Sequence, residues 1–272
     1  MVSQNLLESK IENILRTTLT SADELVVVNP SPETIRELVS SMDDLEEVPV
    51  VNVLADEREL KDVMDDFLVA SSAADLVASD VLSLRVLEGE PVNSLLVSPD
   101  SVISLVSAGG QVAGLTTTDE EFVAQAYEHY SGRWEDAEAF SLRTPPLSTV
   151  QETLVSEIGE DAAADFDAVL DSLQTARGDG DGLDEVTISL LVAGKNGELL
   201  YDISKWGEDI GLASKATFSR TKTQLEDRGL IDTEKVPIDV GRPRLRLKLG
   251  DERLTQADAD ELASVAQSLI AS

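Results

Sequence analysis

Cysteine is absent from this 272-residue chain. Disulfides, thiol catalysis and zinc sites with sulfur ligands are therefore excluded, and an intracellular setting is the natural expectation. Histidine is nearly absent too. His129 stands alone, and with no Gly-x-Ser-x-Gly elbow in the sequence it has no serine nucleophile to serve. Basic residues are scarce, 21 Lys and Arg against 53 Asp and Glu, giving a net charge of −32. No apolar run nears the roughly 20 residues needed to span a bilayer. Residues 1–16 hold no basic region followed by an apolar stretch, so no signal peptide and no membrane partner are expected, and the chain should be cytoplasmic. Gly109-Gly110 lacks the Lys and Ser or Thr that complete a phosphate-binding loop. Acidic pairs such as Asp65-Asp66 occur everywhere and mark no metal site. No catalytic residue, metal or cofactor is expected.

What is present is a normal complement of core residues. Hydrophobic content is 42%, so the acidity does not signal disorder, which requires low hydrophobicity as well. It suits instead the solvated surface of a halophilic protein, since at molar salt the Debye length falls to about 3 Å and self-repulsion is screened.

Patterning predicts an α/β domain over residues 1–143. Ser3 can cap a first helix carrying Leu7, Ile11, Ile14 and Leu15. The run Leu25-Val26-Val27-Val28, closed by Asn29-Pro30-Ser31-Pro32, reads as a strand buried on both faces. Helical spacing follows over 33–42, a strand over 48–54, and one helix over 57–79. Strands over 82–87, 94–97 and 112–115 precede a helix over 119–140 with Phe122, Tyr127, Tyr130 and Trp134. Such alternation argues for three layers. Gly89-Glu90-Pro91 predicts a hairpin turn. Ligands of open α/β sheets bind beyond the carboxyl ends of strands. That points to Asn29, Ser31 and Asp56, with Arg85 and Ser98 as weaker candidates for an anionic small-molecule effector. Plain turn and cap roles, or a domain serving mainly for dimerisation, are the alternatives.

A helical connector and linker is expected over 144–183. Leu147, Val150, Leu154, Ile158, Ala162, Phe166, Val169 and Leu173 recur three or four apart, as one helix or as a pair broken at Gly159. The Gly- and Asp-rich residues 177–182 lack the distal Glu of a calcium loop and read as a linker.

From residue 184 the charge balance changes. Residues 186–250 hold 11 of the 21 cations but only 9 of the 53 acids, a net of +2 in a chain whose remainder carries −34. A basic island in so acidic a chain suggests a polyanionic partner. Its pattern is a short helix ending near Gly194, a second helix stopped by Gly211, and a third capped by Ser214 and stopped by Gly229. A strand to Val236, a turn through Gly241-Arg242-Pro243 and the alternating strand Arg244-Leu245-Arg246-Leu247-Lys248-Leu249 follow. This is a winged helix-turn-helix over 184–252, with the leucines of the wing on one face and its three cations on the other. A last helix over 253–272 places Leu262, Val265, Leu269 and Ile270 on one side, suited to packing on a partner subunit.

The stretch Ser214-Lys215-Ala216-Thr217-Phe218-Ser219-Arg220, with Leu225-Glu226-Asp227-Arg228-Gly229-Leu230-Ile231 after it, resembles the recognition helix and following strand of winged helix-turn-helix regulators. The whole chain is similar to haloarchaeal regulators of the TbsP type. That resemblance implies a sequence-specific transcriptional regulator of sugar or central carbon metabolism genes, and the N-terminal domain vaguely resembles phospholipase-D-like sensor domains. The His-x-Lys motif of that chemistry is absent here.

On a helical wheel Phe218 and Leu225 face the core, while Thr217 and Arg220 point outward with Ser219 beside them. Arg can bond guanine bidentately in the major groove, and Ser or Thr can bond bases or phosphates. Ser214 and Lys215 lie in reach of the same groove. Lys222 stands where an apolar residue is usual, so its stem is expected to pack with the ammonium reaching out. Arg242 and Arg244 suit the DNA backbone or minor groove. Homodimerisation is expected because winged helices commonly read two half-sites. A winged helix that docks proteins without touching DNA remains the alternative.

Overall fold

β-branched runs and amphipathic helices sort the chain into two units, residues 1–65 with 72–142, and residues 66–71 with 143–272. The computed structural model describes residues 6–89, 93–177, 182–238 and 243–271.

The first unit runs β1 (Leu6–Glu8), α1 (Ile11–Leu19), β2 (Glu24–Val28), α2 (Pro32–Asp43), β3 (Val50–Ala55), α3 (Glu57–Val63), α4 (Phe67–Ala78), β4 (Leu82–Val86), β5 (Leu95–Val97), β6 (Val102–Ala108), β7 (Gln111–Thr117) and α5 (Glu120–Asp136). Among the described residues its strands form one sheet in the order β1-β7-β6-β5-β2-β3-β4. β2, β3 and β4 are mutually parallel because helices return the chain between them, and the other pairs are antiparallel. α5 seals one face, packing Val123, Ala126, Tyr127 and Tyr130 over Val26, Val28, Val97 and Val102. Alternation sends Leu25 and Val27 to the opposite face. α1 lies there, close enough that a Cβ on Gly114 would sit 3.6 Å from Ile14 Cγ2. Helices on both faces give the three-layer α/β arrangement.

Several boundaries differ from the sequence expectation. Ser3 lies outside the described residues, and Leu7 belongs to a strand, so the first helix begins at Ile11. The single helix expected over 57–79 is two. Asp66 interrupts it, because its Oδ1 accepts the amides of Leu68 (3.2 Å) and Ala176 (3.0 Å). β6 was not expected at all, and it pairs with β7 through the two-residue turn Gly109-Gly110, both at positive φ as such hairpins require. The expected β4–β5 hairpin at Gly89-Glu90-Pro91 is not seen among the described strands, where β4 neighbours β3 while β5 lies between β2 and β6. Glu90 and Pro91 themselves lie outside the described residues. α5 ends at Asp136, and the chain after it pairs extended with β4, where Val86 N donates to Glu138 O (2.8 Å).

The second unit adds α6 (Leu147–Glu157), α7 (Glu160–Asp171), α8 (Glu185–Asn196), α9 (Leu200–Asp209), α10 (Lys215–Asp227), β8 (Ile231–Val236), β9 (Arg244–Leu249), α11 (Glu252–Gln256) and α12 (Ala259–Ile270). Gly159, at φ +147°, separates α6 from α7. The helices expected as a connector are core elements: Val150, Leu154, Phe166 and Val169 share one cluster with Leu190, Trp206, Phe218 and Leu262. Trp206 Nε1 donates to Thr153 Oγ1 (3.0 Å), tying α9 to α6. α8 continues past Gly194 to a left-handed Gly197, because Gly194 is the close-packing point against Leu249 rather than a stop. The apolar side of α12 is not left over for a partner. Leu262, Ala263 and Ala266 are buried, and Val265, Leu269 and Ile270 pack against the same core.

Candidate nucleic-acid interface

The helix-turn-helix is assembled by two glycines. Gly211, at φ +79°, turns the chain between α9 and α10. Gly207 lets the two helices touch, since a Cβ there would lie 2.4 Å from Phe218 Cε2. Phe218, Thr221 and Leu225 are the buried side of α10. The opposite side, including Ser219 and Arg220, is exposed. Arg220 has no ion-pair or hydrogen-bond partner among the described residues.

Of the other predicted contacts, Ser214, Thr217, Lys215 and Arg244 are engaged within the chain. Ser214 caps α10, its Oγ accepting Thr217 N (3.1 Å) and bonding Thr217 Oγ1 (3.0 Å). Lys215 is held by Glu208 of α9 with Nζ 2.5 Å from Oε2. Hydrogen bonding between them raises the Lys215 pKa and lowers that of Glu208. Lys222 has a largely buried side chain whose Nζ, rather than reaching out to solvent, lies 2.7 Å from Glu226 Oε2, and Glu226 also accepts Thr233 Oγ1 of β8 (2.8 Å). Arg242 lies outside the described residues.

The wing, β8 paired antiparallel with β9, buries Leu247 and turns Arg246 and Lys248 outward. Leu247 N donates to Glu198 O (2.8 Å), so the turn before α9 is stitched to the wing. Arg244 does not project freely. Its guanidinium lies 4.2 Å over the Tyr201 ring and 3.3 Å from Asp202 Oδ1, both in the first turn of α9. Lys248 pairs with Glu234. Burial, then the charge of Asp202, raises the Glu198 pKa, against the lowering influence of Arg246. Glu208, Asp202, Tyr201 and Glu234 are thus part of this surface and were missed from sequence. For the three acids the signal was a carboxylate facing Lys215, Arg244 or Lys248 across a turn or ladder, which is not read from spacing on one helix.

The five ligand candidates of the first unit take up turn and cap work. Asn29 is left-handed (φ 47°) and donates its amide to Leu54 O (2.8 Å). Ser31 caps α2 by accepting Thr34 N, and Asp56 caps α3 by accepting Arg58 N. Arg85 Nη1 donates to the carbonyls of Trp134, Glu135 and Ala137 at 2.7–3.2 Å, with its guanidinium 4.1 Å over the Trp134 ring. It closes the end of α5, where carbonyls lack partners. Asn29 and Asp56 lie together at the carboxyl ends of β2 and β3. Antiparallel register (Val26 opposite Val97) carries Ser98 to the other end of the sheet, where it forms a turn with Ser101. Among the described residues no helix is long and apolar enough to cross a membrane.

Residues 3–145 match the family described as transcriptional regulator TbsP-like, N-terminal, and residues 146–267 match its counterpart, the TbsP-like C-terminal HTH domain. No curated protein matches the chain. Among solved structures the chain is similar to TrmBL2, described as an archaeal chromatin protein with a novel mode of DNA binding. Identity there is 17%, covering 51% of this chain and 55% of that one, with a TM-score of 0.37. It is also similar to NucT from Helicobacter pylori, at 16% identity over 50% of this chain and 99% of that one, TM-score 0.36.

Proposed function

Because the chain belongs to the TbsP-like transcriptional regulators, we propose that it reads specific double-stranded DNA sequences with α10 in the major groove and the wing against the backbone. It does so as a homodimer on paired half-sites, without catalysis. The observation that carries this reading is Arg220, exposed and unpartnered on the outward side of a helix whose other side is locked by Phe218 and Leu225. A planar guanidinium in that position suits a guanine edge. The wider setting is inherited from the TbsP-type resemblance: a halophilic archaeal cell, and target genes of sugar and central carbon metabolism.

A small-molecule effector in the first unit is part of the proposal. Asn29 and Asp56, together at the carboxyl ends of β2 and β3, are the residues to vary first. Chromatin occupancy measured with and without a sugar carbon source tests binding and signal together. Arg220→Ala is expected to erase specific peaks, and carbon source to change their height.

A protein-docking winged helix is the second reading, favoured by the carboxylates that already neutralise Lys215, Arg244 and Lys248. Specific peaks that survive Arg220→Ala would select it.

A further inference from the structure

The side of the sheet that α5 covers is left open at its β6-β7-β1 end. Pairing register lines up Leu7 with Ala113 and Ala113 with Val106, and sets Leu115 opposite Ser104. Val102, two residues before Ser104 on β6, packs under α5 and so fixes these residues to the α5 face. They are bare: Leu7 is 66% exposed, Leu115 48% and Val106 46%. None of the residues that alternation places on this face in the three strands is charged, in a chain whose charged content is 27%. A contiguous apolar patch of this kind marks an interaction surface.

We infer that this face is where a second copy of the chain docks. The inference rests on the homodimer reading above and gives it a location. Three observations choose the occupant. Each copy carries −32 charges, and the strand residues of this face include no carboxylate, so a second copy docking here sets no like charges against each other. A twofold axis sets the same uncharged patch against itself, leaving no residue without its match. The apolar side of α12, the other surface suited to a partner, is already buried in its own unit. Nucleic acid is a poor occupant because the face offers no cation. β1 is also an edge strand, with no described strand on its outer side, so the patch runs to the margin of the sheet.

The test uses the full chain in molar KCl. Light scattering is expected to give twice the chain mass for the native protein. For Val106→Asp combined with Leu115→Asp, the single-chain mass is expected with unchanged circular dichroism. The absence of cysteine allows an independent reading. Oxidised Leu7→Cys should run as a cross-linked pair, whereas Val77→Cys, exposed on α4, should not. A double-Asp variant that keeps the dimer mass overturns the docking face and leaves the dimer standing. A native protein of single-chain mass at all concentrations overturns both. If the variant unfolds, the cysteine pair decides: equal cross-linking at Leu7→Cys and Val77→Cys overturns the face. DNA contact by α10 is judged separately, by Arg220→Ala.

Discussion

Lys215, the first residue of α10, is clasped by Glu208 of α9, Nζ to Oε2 at 2.5 Å. The pair joins the two helices of the helix-turn-helix at the point where the second would enter the groove. An approaching phosphate must displace Glu208 or face it. Exposed pairs are individually weak, so the exchange is feasible, but each one subtracts from the electrostatic attraction. Glu208→Gln is expected to tighten DNA binding several-fold. It should also steepen the plot of log affinity against log salt by about one unit, since one more cation then displaces counterions. Gel shifts across a salt series read both effects, and an unchanged slope would show that Lys215 meets no phosphate.

Arg220 should behave differently. Arg220→Ala is expected to lose roughly 1–3 kcal/mol of operator binding, about five- to a hundred-and-fifty-fold, with little effect on non-specific DNA. Equal losses on both DNAs would make it a backbone contact.

Gly207 has no room for a methyl group, with Phe218 ring carbons 2.4 and 2.5 Å from the place a Cβ would take. Gly207→Ala is expected to destabilise the second unit by about 1–3 kcal/mol, an ordinary overpacking effect. Phe218→Leu added to it should recover part of that loss in thermal or denaturant melts, because it removes the ring the methyl strikes. No recovery would place the strain elsewhere.

Glu226 bridges α10 and the wing. Burial works against its charge, but hydrogen bonds from Lys222 and Thr233, with the charge of Lys222, hold its pKa below the ordinary value. An acid whose pKa is lowered in the folded state contributes stability that is full above the ordinary carboxylate range. It is lost as pH falls through the lowered folded value. Stability of the native protein should therefore fall on acidification below about pH 5, and Glu226→Gln should flatten its share of that slope. Denaturant melts at stepped pH are the measurement. Identical slopes would assign the acid sensitivity to other carboxylates.

The helix-turn-helix was legible because each of its boundaries has a local chemical cause. Ser214 caps, Gly211 and Gly229 turn left-handed, and the wing alternates Leu with cation. β6 was overlooked although Val102-Ile103-Ser104-Leu105-Val106 is strand-like, because its pairing depends on the Gly109-Gly110 turn and a partner across it. The break at Asp66 was not legible at all. Its cause is the amide of Ala176, 110 residues away. Arg85 illustrates the same limit from the functional side. A lone cation near strand ends suggests an anion site, and only the three-dimensional arrangement shows three carbonyls at the end of α5 already engaging it.

The family boundary falls between residues 145 and 146, yet residues 66–71 belong to the second unit. Asp66 supplies the acceptor for Ala176 N, and Phe67 meets Phe166 edge to face at 6.5 Å between centroids. A single cut at the boundary therefore removes a piece of the DNA-reading half along with the other. Exchanging one half at that boundary would also exchange the acceptor for Ala176 N and the ring that meets Phe166, so the two halves are coupled through residues 66–71.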